Sequence, residues 1–594
     1  METGRTRNHG TGRSTRRFGI QNLRCGPRSL PVIFPGKGFN PSPDTVGARG
    51  LPASWDRKAA GGVSLPARYD AIVIGGGHNG LTTAAYLARA RKRVLVLERR
   101  HVLGGAAVTE EVFPGFKFTV CSYVCSLLRP QVIRDLELPS HGFEVIPQES
   151  SFTPLPDGRY LYRHGHEEDA FQEIAKFSRR DAETYPRFGR LMARLAKFIA
   201  PTLTMTPPDV GSLNPAELRK LLALNKQVKT LTEDELYTFA RLMTMSAADY
   251  LDEWFETDVL KAGLCSSGII GTLLGPRSPG TAYVLMHHYM GEIDGAYRSW
   301  GYVRGGMGMV SESIASAARS YGAEIRVNAE VRQILVRDGR TVGVELASGE
   351  RIEAKVVASG ADPKRTFLKF LERSDLPADF VRGIENFKIE GSSGKANFAL
   401  SEAPSFSALP GNGPHLQGAI SIGPSVDYIE KAYDDAKYGD FSHRPFIDMC
   451  IPSTLDPTLA PPGKHIMSCF IQYAPYTLRN GRWPDRREAF AETVIDTIEE
   501  YVPNLRDIIL HQQVLSPWDL EQMIGLTGGN IFHGELTPNQ LFFLRPVPGW
   551  AQYRTPIKGL YLCASGAHPG GGVMGAPGYN AAREILKDWS LLRM

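Results

Sequence analysis

The sequence predicts an α/β fold, a Rossmann-like nucleotide-binding domain assembled from discontinuous segments and joined to an α+β substrate domain. Three stretches carry that prediction. A glycine-rich strand-to-helix turn stands at 72–80, and a second glycine-crowded strand, turn and helix runs from 559 to 582. Between them a hairpin-rich piece, 301–363, ends in a strand of small residues.

The first turn reads Ile72-Val73-Ile74-Gly75-Gly76-Gly77-His78-Asn79-Gly80. Gly75 permits the tight turn, Gly77 lets the backbone approach a ligand, and Gly80 lets the following helix close on the strand. The free N–H groups of that helix then face a pyrophosphate. A second strand, Val94–Leu97, ends in Glu98. A carboxylate there accepts hydrogen bonds from an adenosine ribose and repels a 2′-phosphate, which disfavours NADP. Arg99 follows, and then Gly104-Gly105 offers a second close backbone approach with no Cβ in the way. An extended FAD needs that approach, so FAD is the expected cofactor.

At the other end, the strand Gly559–Cys563 leads to Gly566 and to the turn Gly570-Gly571-Gly572-Val573-Met574-Gly575. The turn suits passage beside a ribityl chain and flavin ring. The helix starting near Gly575 favours negative charge on reduced flavin. The middle piece predicts a helix over 309–321, strands over 323–327, 330–337 and 342–346 about an Asp338-Gly339 turn, and a strand leading to Ser359-Gly360.

These motifs together, with "YVRGG" at 302–306, "VVASGADP" at 356–363 and "HPGGGVMG" at 568–575, resemble the carotenoid and retinoid oxidoreductase family related to phytoene desaturase. The likeness runs over 69–594. Stretches such as "ERRHVLGGAAVTEE" at 98–111 resemble a mitochondrial member. The resemblance implies a cofactor-binding set of Ile72, Val73, Ile74, Gly75, Gly76, Gly77, His78, Asn79, Gly80, Glu98, Arg99, Gly104, Gly105, Val331, Gly566, Gly572, Val573 and Gly575. In that set Val331 meets adenine through its backbone. Ala564 stands where many relatives have glycine. Catalytic residues are not assigned, because flavin desaturases need little acid–base machinery. The polar residue nearest the expected flavin loop is His568, read equally as a ligand contact or a backbone-bonded turn histidine. Arg304 and His287-His288 are more remote.

Length and the positions of these motifs divide the chain into a basic, disordered targeting leader at 1–68 and FAD-binding parts at 69–150, 301–372 and 545–594. The substrate parts are 151–300, expected to be helical, and 373–544. Apolar residues at helical spacing from Phe171 to Leu195 read as core, with a tunnel lining or membrane contact as the alternatives. Residues 1–68 hold twelve Lys or Arg against three Asp or Glu, so the remainder is mildly acidic although the whole chain is +5. An acidic body argues against nucleic-acid binding. The leader reads as a mitochondrial transit peptide, most consistent with the matrix, with a plastid address or an untargeted basic arm as alternatives. No apolar run reaches membrane-spanning length, which leaves peripheral membrane contact open. Seven scattered cysteines do not form a secreted disulfide framework, and Cys121 and Cys125 read as buried structural thiols. No metal-ligand spacing occurs.

The expected activity is FAD-dependent dehydrogenation or desaturation of an apolar or conjugated small molecule. The alternative is a flavin-bearing regulatory protein that contacts a mitochondrial respiratory-chain partner without turnover of its own.

Overall fold

Two sheets, drawn from alternating segments of the chain, organise the protein. The computed structural model describes residues 32–33, 69–148 and 150–592. In the first sheet, strands Glu324–Arg326, Val94–Leu97, Tyr69–Ile74, Arg351–Ser359 and Leu560–Leu562 lie parallel in that order. The long strand Arg351–Ser359 changes partner along its length. Its first residues pair antiparallel with Arg340–Leu346, and its last ones lie between Tyr69–Ile74 and Leu560–Leu562. One strand therefore ties all three sequence-distant pieces together. Strands Val94–Leu97 and Leu560–Leu562 are fully buried, as the continuous apolar runs of a covered parallel sheet require.

The hairpin closes more tightly than the sequence suggests. Asp338 and Gly339 both take positive φ, 50° and 68°, so Arg337 pairs directly with Arg340 and the second strand begins two residues earlier than expected. Helices His78–Arg89, Gly308–Ser320 and Ala576–Leu592 pack with this sheet. Gly578 allows the closest helix approach, since a Cβ there would stand 2.1 Å from the Asn79 carbonyl oxygen.

The second sheet has eight strands. From one edge they are Val32–Ile33, Ile509–Leu515, Ser393–Leu400, His465–Gln472, Phe446–Cys450, Ala419–Ile422, Ser150–Pro154 and Tyr160–His164. Two observations differ from the sequence reading. Val32 and Ile33 pair in parallel with Gln512 and Gln513, so the leader's expected disorder does not extend to them; the rest of the leader lies outside the described residues. The segment expected to be helical opens with the hairpin 150–164, which completes the far edge of this sheet.

Seven described helices between 167 and 289 follow that hairpin. On Arg179–Leu203, Phe188, Met192 and Leu195 are wholly buried, and Tyr185 is partly buried against the same core. The helix expected at Asp249–Phe255 runs instead over Ala247–Asp252, because Ser246 caps it by accepting the Asp249 N–H at 3.0 Å. Among the described residues, no helix is long and apolar enough to cross a membrane.

Candidate functional site

The two glycine turns and the second sheet converge on a pair of adjoining cavities. The narrower, about 140 Å³, lies over the ends of the parallel strands and is lined by Gly75, Gly77, Glu98, Val331, Arg365, His533 and Ser565, among others. The larger, about 530 Å³, lies between the two sheets under the helical segment. His78, Ala106, Ile531 and Ser565 line both.

The first turn is built as its glycines demand. Gly75 has φ +94°, and a Cβ on Gly80 would stand 2.3 Å from the Gly75 carbonyl oxygen. Gly77 meets nothing nearer than the Gly104 carbonyl at 4.0 Å, so its backbone faces open space. Gly105 faces it from the second loop, its Cβ position 3.4 Å from the Gly77 Cα. Gly76 serves the protein itself, because a Cβ there would meet Leu103 at 2.6 Å and the Glu98 side chain at about 3.1 Å.

Glu98 is buried and accepts the Gly76 N–H at 2.7 Å and the Arg100 N–H at 2.9 Å. Glu98→Ala is expected to cost about 1–3 kcal/mol, the cost of a buried N–H left unpaired. It should also lower the flavin-to-protein ratio after gel filtration, with Glu98→Gln between it and wild type.

The remaining expected residues divide. Ile74, His78, Asn79, Arg99 and Val331 line the narrow cavity, and Gly572 and Val573 the large one. Ile72 and Val73 are interior strand residues. Gly104, Gly566 and Gly575 line neither cavity. Gly104 packs on Val108, and Gly566 on Pro363, where a Cβ would lie 2.3 Å away. Gly570 and Gly571 make room for Leu536 and Phe532. A Cβ on Gly572 would likewise meet Leu127 at 2.6 Å, so three of the turn's four glycines make room for neighbouring side chains. Arg99 also donates to the carbonyls of Gln522 and Met523, at 3.0 and 2.8 Å, holding the end of helix Pro517–Ile524.

His568 is the backbone-bonded histidine, its Nε2 2.8 Å from the Thr202 carbonyl, and it lines neither cavity. Arg304 pairs at the surface with Glu144 at 2.7 Å. His288 lines the large cavity with Nδ1 2.9 Å from the Val284 carbonyl. The six described cysteines are free and buried, and burial pushes the Cys121 and Cys125 thiols up to about 12. That is the opposite of an activated dithiol.

The residues of the narrow cavity fit a polar, anionic dinucleotide. Asn79 Oδ1, both ring nitrogens of His78, His533 Nδ1 and Arg365 Nε are buried there without a hydrogen-bond partner. Buried polar atoms in a native fold are normally paired. Burial, with His533 nearby, depresses His78 to about 4 and leaves it neutral at pH 7.

Three features were not read from the sequence. Lys395, at 2% exposure, enters the large cavity from strand Ser393–Leu400. Its Nζ donates to Ser468 Oγ at 2.5 Å and lies 4.9 Å from the Tyr123 ring centroid. Burial holds its pKa below the usual lysine range. Beside it Asp448 accepts from Tyr123 Oη at 2.6 Å and Ser421 Oγ at 2.9 Å, and burial raises its carboxyl. The second feature is Arg545, wholly buried, which donates to the carbonyls of Phe532, Gly534, Glu535, Gln540 and Ser565. It fixes the 532–545 loop against Ser565, where the cavities meet. The third is the pair Arg163 and Arg298, which line the far end of the large cavity.

Glu535 adds a pH signature. Burial raises its carboxyl from 4.5 to about 7, so between those values the folded state keeps a proton that the unfolded state has lost. Stability therefore falls as pH rises through that window, by about 3 kcal/mol in all, and levels off above it. Glu535→Gln is expected to flatten the fall, raising the denaturation midpoint at pH 8 and leaving it nearly unchanged at pH 4.5.

Comparison with known proteins agrees with this geometry. Residues 80–586 match the flavin-containing amine oxidoreductase family. The chain is 43% identical to pyridine nucleotide-disulfide oxidoreductase domain-containing protein 2 of Rattus norvegicus, over 90% of this chain and 96% of that protein. It is 30% identical to a limonene dehydrogenase component from Castellaniella defragrans, over 88% and 95%. The carotenoid-type likeness extends to prolycopene isomerase 2 of an Oncidium hybrid cultivar, 26% identical over 96% and 92%. Among solved structures, cyclohexylamine oxidase from Brevibacterium oxydans shares the fold with a TM-score of 0.52 at 17% identity, covering 88% of this chain and 99% of that one.

Proposed function

This chain belongs to the flavin-containing amine oxidoreductase family and is an FAD-dependent oxidoreductase, and from that premise we propose that it dehydrogenates an apolar or conjugated small molecule in the large cavity. The observation that carries the reading is the junction of the two cavities at His78 and Ser565. A cofactor held in one can thereby meet a substrate held in the other. The limonene dehydrogenase component, a relative named for oxidation of an apolar molecule, supports the substrate class.

In this reading Gly75, Gly77, Gly80, Gly105 and Glu98 hold the adenosine and pyrophosphate side, and Val331 meets the adenine. Gly572 and Val573 face the flavin side. Residues 69–150, 301–372 and 545–594 build the FAD-binding side, and 151–300 with 373–544 the substrate side. When bound, FAD supplies the hydride acceptor. Dehydrogenation also releases a proton, and Lys395, whose burial favours its neutral form, is the residue of the large cavity suited to take it up.

The basic leader supports a mitochondrial address. Peripheral membrane contact draws support from Leu213, 86% exposed just before the outer helix Pro215–Val228, and Leu222, 66% exposed on that helix, which buries none of its residues. The test is an anaerobic screen of the purified holoprotein against conjugated and terpenoid alcohols, aldehydes and hydrocarbons. Bleaching of the flavin by a member of the panel is the expected result. A flavin inert to every member, in a protein that binds a respiratory-chain partner whatever its redox state, would favour the regulatory alternative.

A further inference from the structure

The large cavity is electrostatically lopsided. Its lining carries three permanent or potential cations, Lys395, Arg163 and Arg298, against one carboxylate, Asp448. Lys395 and Asp448 sit together near strands 393–400 and 446–450. Arg163 comes from strand Tyr160–His164, and Arg298 from the segment after helix Thr281–Tyr289. At this end, Arg298 Nη1 donates to Tyr185 Oη at 3.1 Å and Arg163 Nη1 to the same oxygen at 3.4 Å. The Arg298 guanidinium stacks on the Tyr289 ring, 4.6 Å from its centroid, and the buried Tyr289 hydroxyl has no hydrogen-bond partner.

No described carboxylate forms an ion pair with either arginine, whereas Arg129, Arg304 and Arg554 all have acidic partners. Each guanidinium carries five N–H donors, and one on each is used by Tyr185. Two like charges held around one phenol in a partly dry cavity are costly unless an anion joins them. Their field pulls the Tyr185 phenol down to about 7, against the effect of burial, and the partial tyrosinate charge offsets no more than one of the two guanidinium charges, so the pair keeps a net positive charge. Two planar forks converging on one point also suit the oxygens of a carboxylate or phosphate.

We propose that the substrate is an amphiphile whose anionic head, a carboxylate or a phosphate monoester, docks between Arg163 and Arg298 while its apolar part runs toward His78, Ser565 and Val573. This rests on reading the large cavity as the substrate site, and it narrows the substrate class from apolar to apolar with one charged end. The arginine pair then sets which carbon of the chain stands at the junction with the narrow cavity.

The test is calorimetric titration of the full-length holoprotein with three probes of one chain length, decanoate, monodecyl phosphate and decan-1-ol. At least one anion is expected to bind about 10-fold or more tightly than the alcohol, and the better anion identifies the head group. Arg298→Met and Arg163→Met should each weaken that anion about 10- to 100-fold and leave the alcohol unchanged, the range for hydrogen bonds to charged groups. Arg298→Lys should recover part of the loss. An alcohol that binds as well as both anions, failure of all three probes to bind, or an anion preference that survives both Met variants overturns the proposal. The wild-type preference stands as a test even where a variant does not fold. Flavin bleaching is measured separately, so a protein that keeps the anion preference but is reduced by no substrate loses the dehydrogenase reading alone.

Discussion

Lys395→Met is expected to slow reduction of the flavin by substrate about 10²- to 10⁴-fold, the range for loss of a positioned acid–base group, while flavin content stays at the wild-type level. Methionine keeps most of the side-chain length and removes the ammonium. The loss therefore reports chemistry rather than packing, although Ser468 Oγ gives up a donor. Burial favours the neutral amine, and a base acts only when unprotonated. The wild-type reduction rate should consequently rise with pH through the lysine's lowered pKa, and the variant should lack that limb. Stopped-flow reduction across pH, under anaerobic conditions, measures both. A variant that reduces at the wild-type rate removes Lys395 from the chemistry.

Arg545→Met is expected to destabilise the protein by about 3–5 kcal/mol, because several buried carbonyls are left unsatisfied at about 1–3 kcal/mol each, partly offset by removal of a buried charge. Five backbone carbonyls, all on buried residues, lose a donor at once. Burial lowers Arg545 to about 9, so it remains charged at neutral pH. Against a total stability of about 5–15 kcal/mol the loss is large, and the protein should be recovered partly unfolded and poor in flavin. Arg545→Lys should rescue little, because three ammonium hydrogens cannot reproduce the geometry of a five-donor planar fork. Denaturant midpoints and flavin-to-protein ratios decide the matter. A midpoint near wild type for the Met variant would mean that the loop 532–545 finds its place without the arginine.

What the sequence revealed and what it hid divide on physical lines. The turn at 72–80 is legible because its requirements are local. Gly75 needs positive φ, Gly80 needs room beside the Gly75 carbonyl of the same turn, and Glu98 closes the next strand. The hairpin at 331–346 is legible for the same reason, through Asp338 and Gly339. Arg545 leaves no such trace, since five carbonyls scattered over 532–565 become its partners only after the loop has folded. Lys395 is a single cation in the strand "SGKANFAL", and only its wholly buried setting in a central strand marks it out. Arg163, Tyr185 and Arg298 are separated by up to 135 residues and meet through the packing of a hairpin, a helix and a loop. The glycine-crowded turn at 570–575 misleads in an instructive way. Gly570 and Gly571 carry the composition of a ligand loop, yet Phe532 and Leu536 occupy the space that they open.

The most direct measurement is the visible absorption spectrum of the purified full-length protein, followed by release and identification of its cofactor. The expected result is the bands of protein-bound flavin, one FAD per chain, and loss of that FAD in the Glu98→Ala variant before loss of fold. A well-folded, colourless protein that takes up no added FAD, or one whose FAD content is indifferent to Glu98, would contradict it.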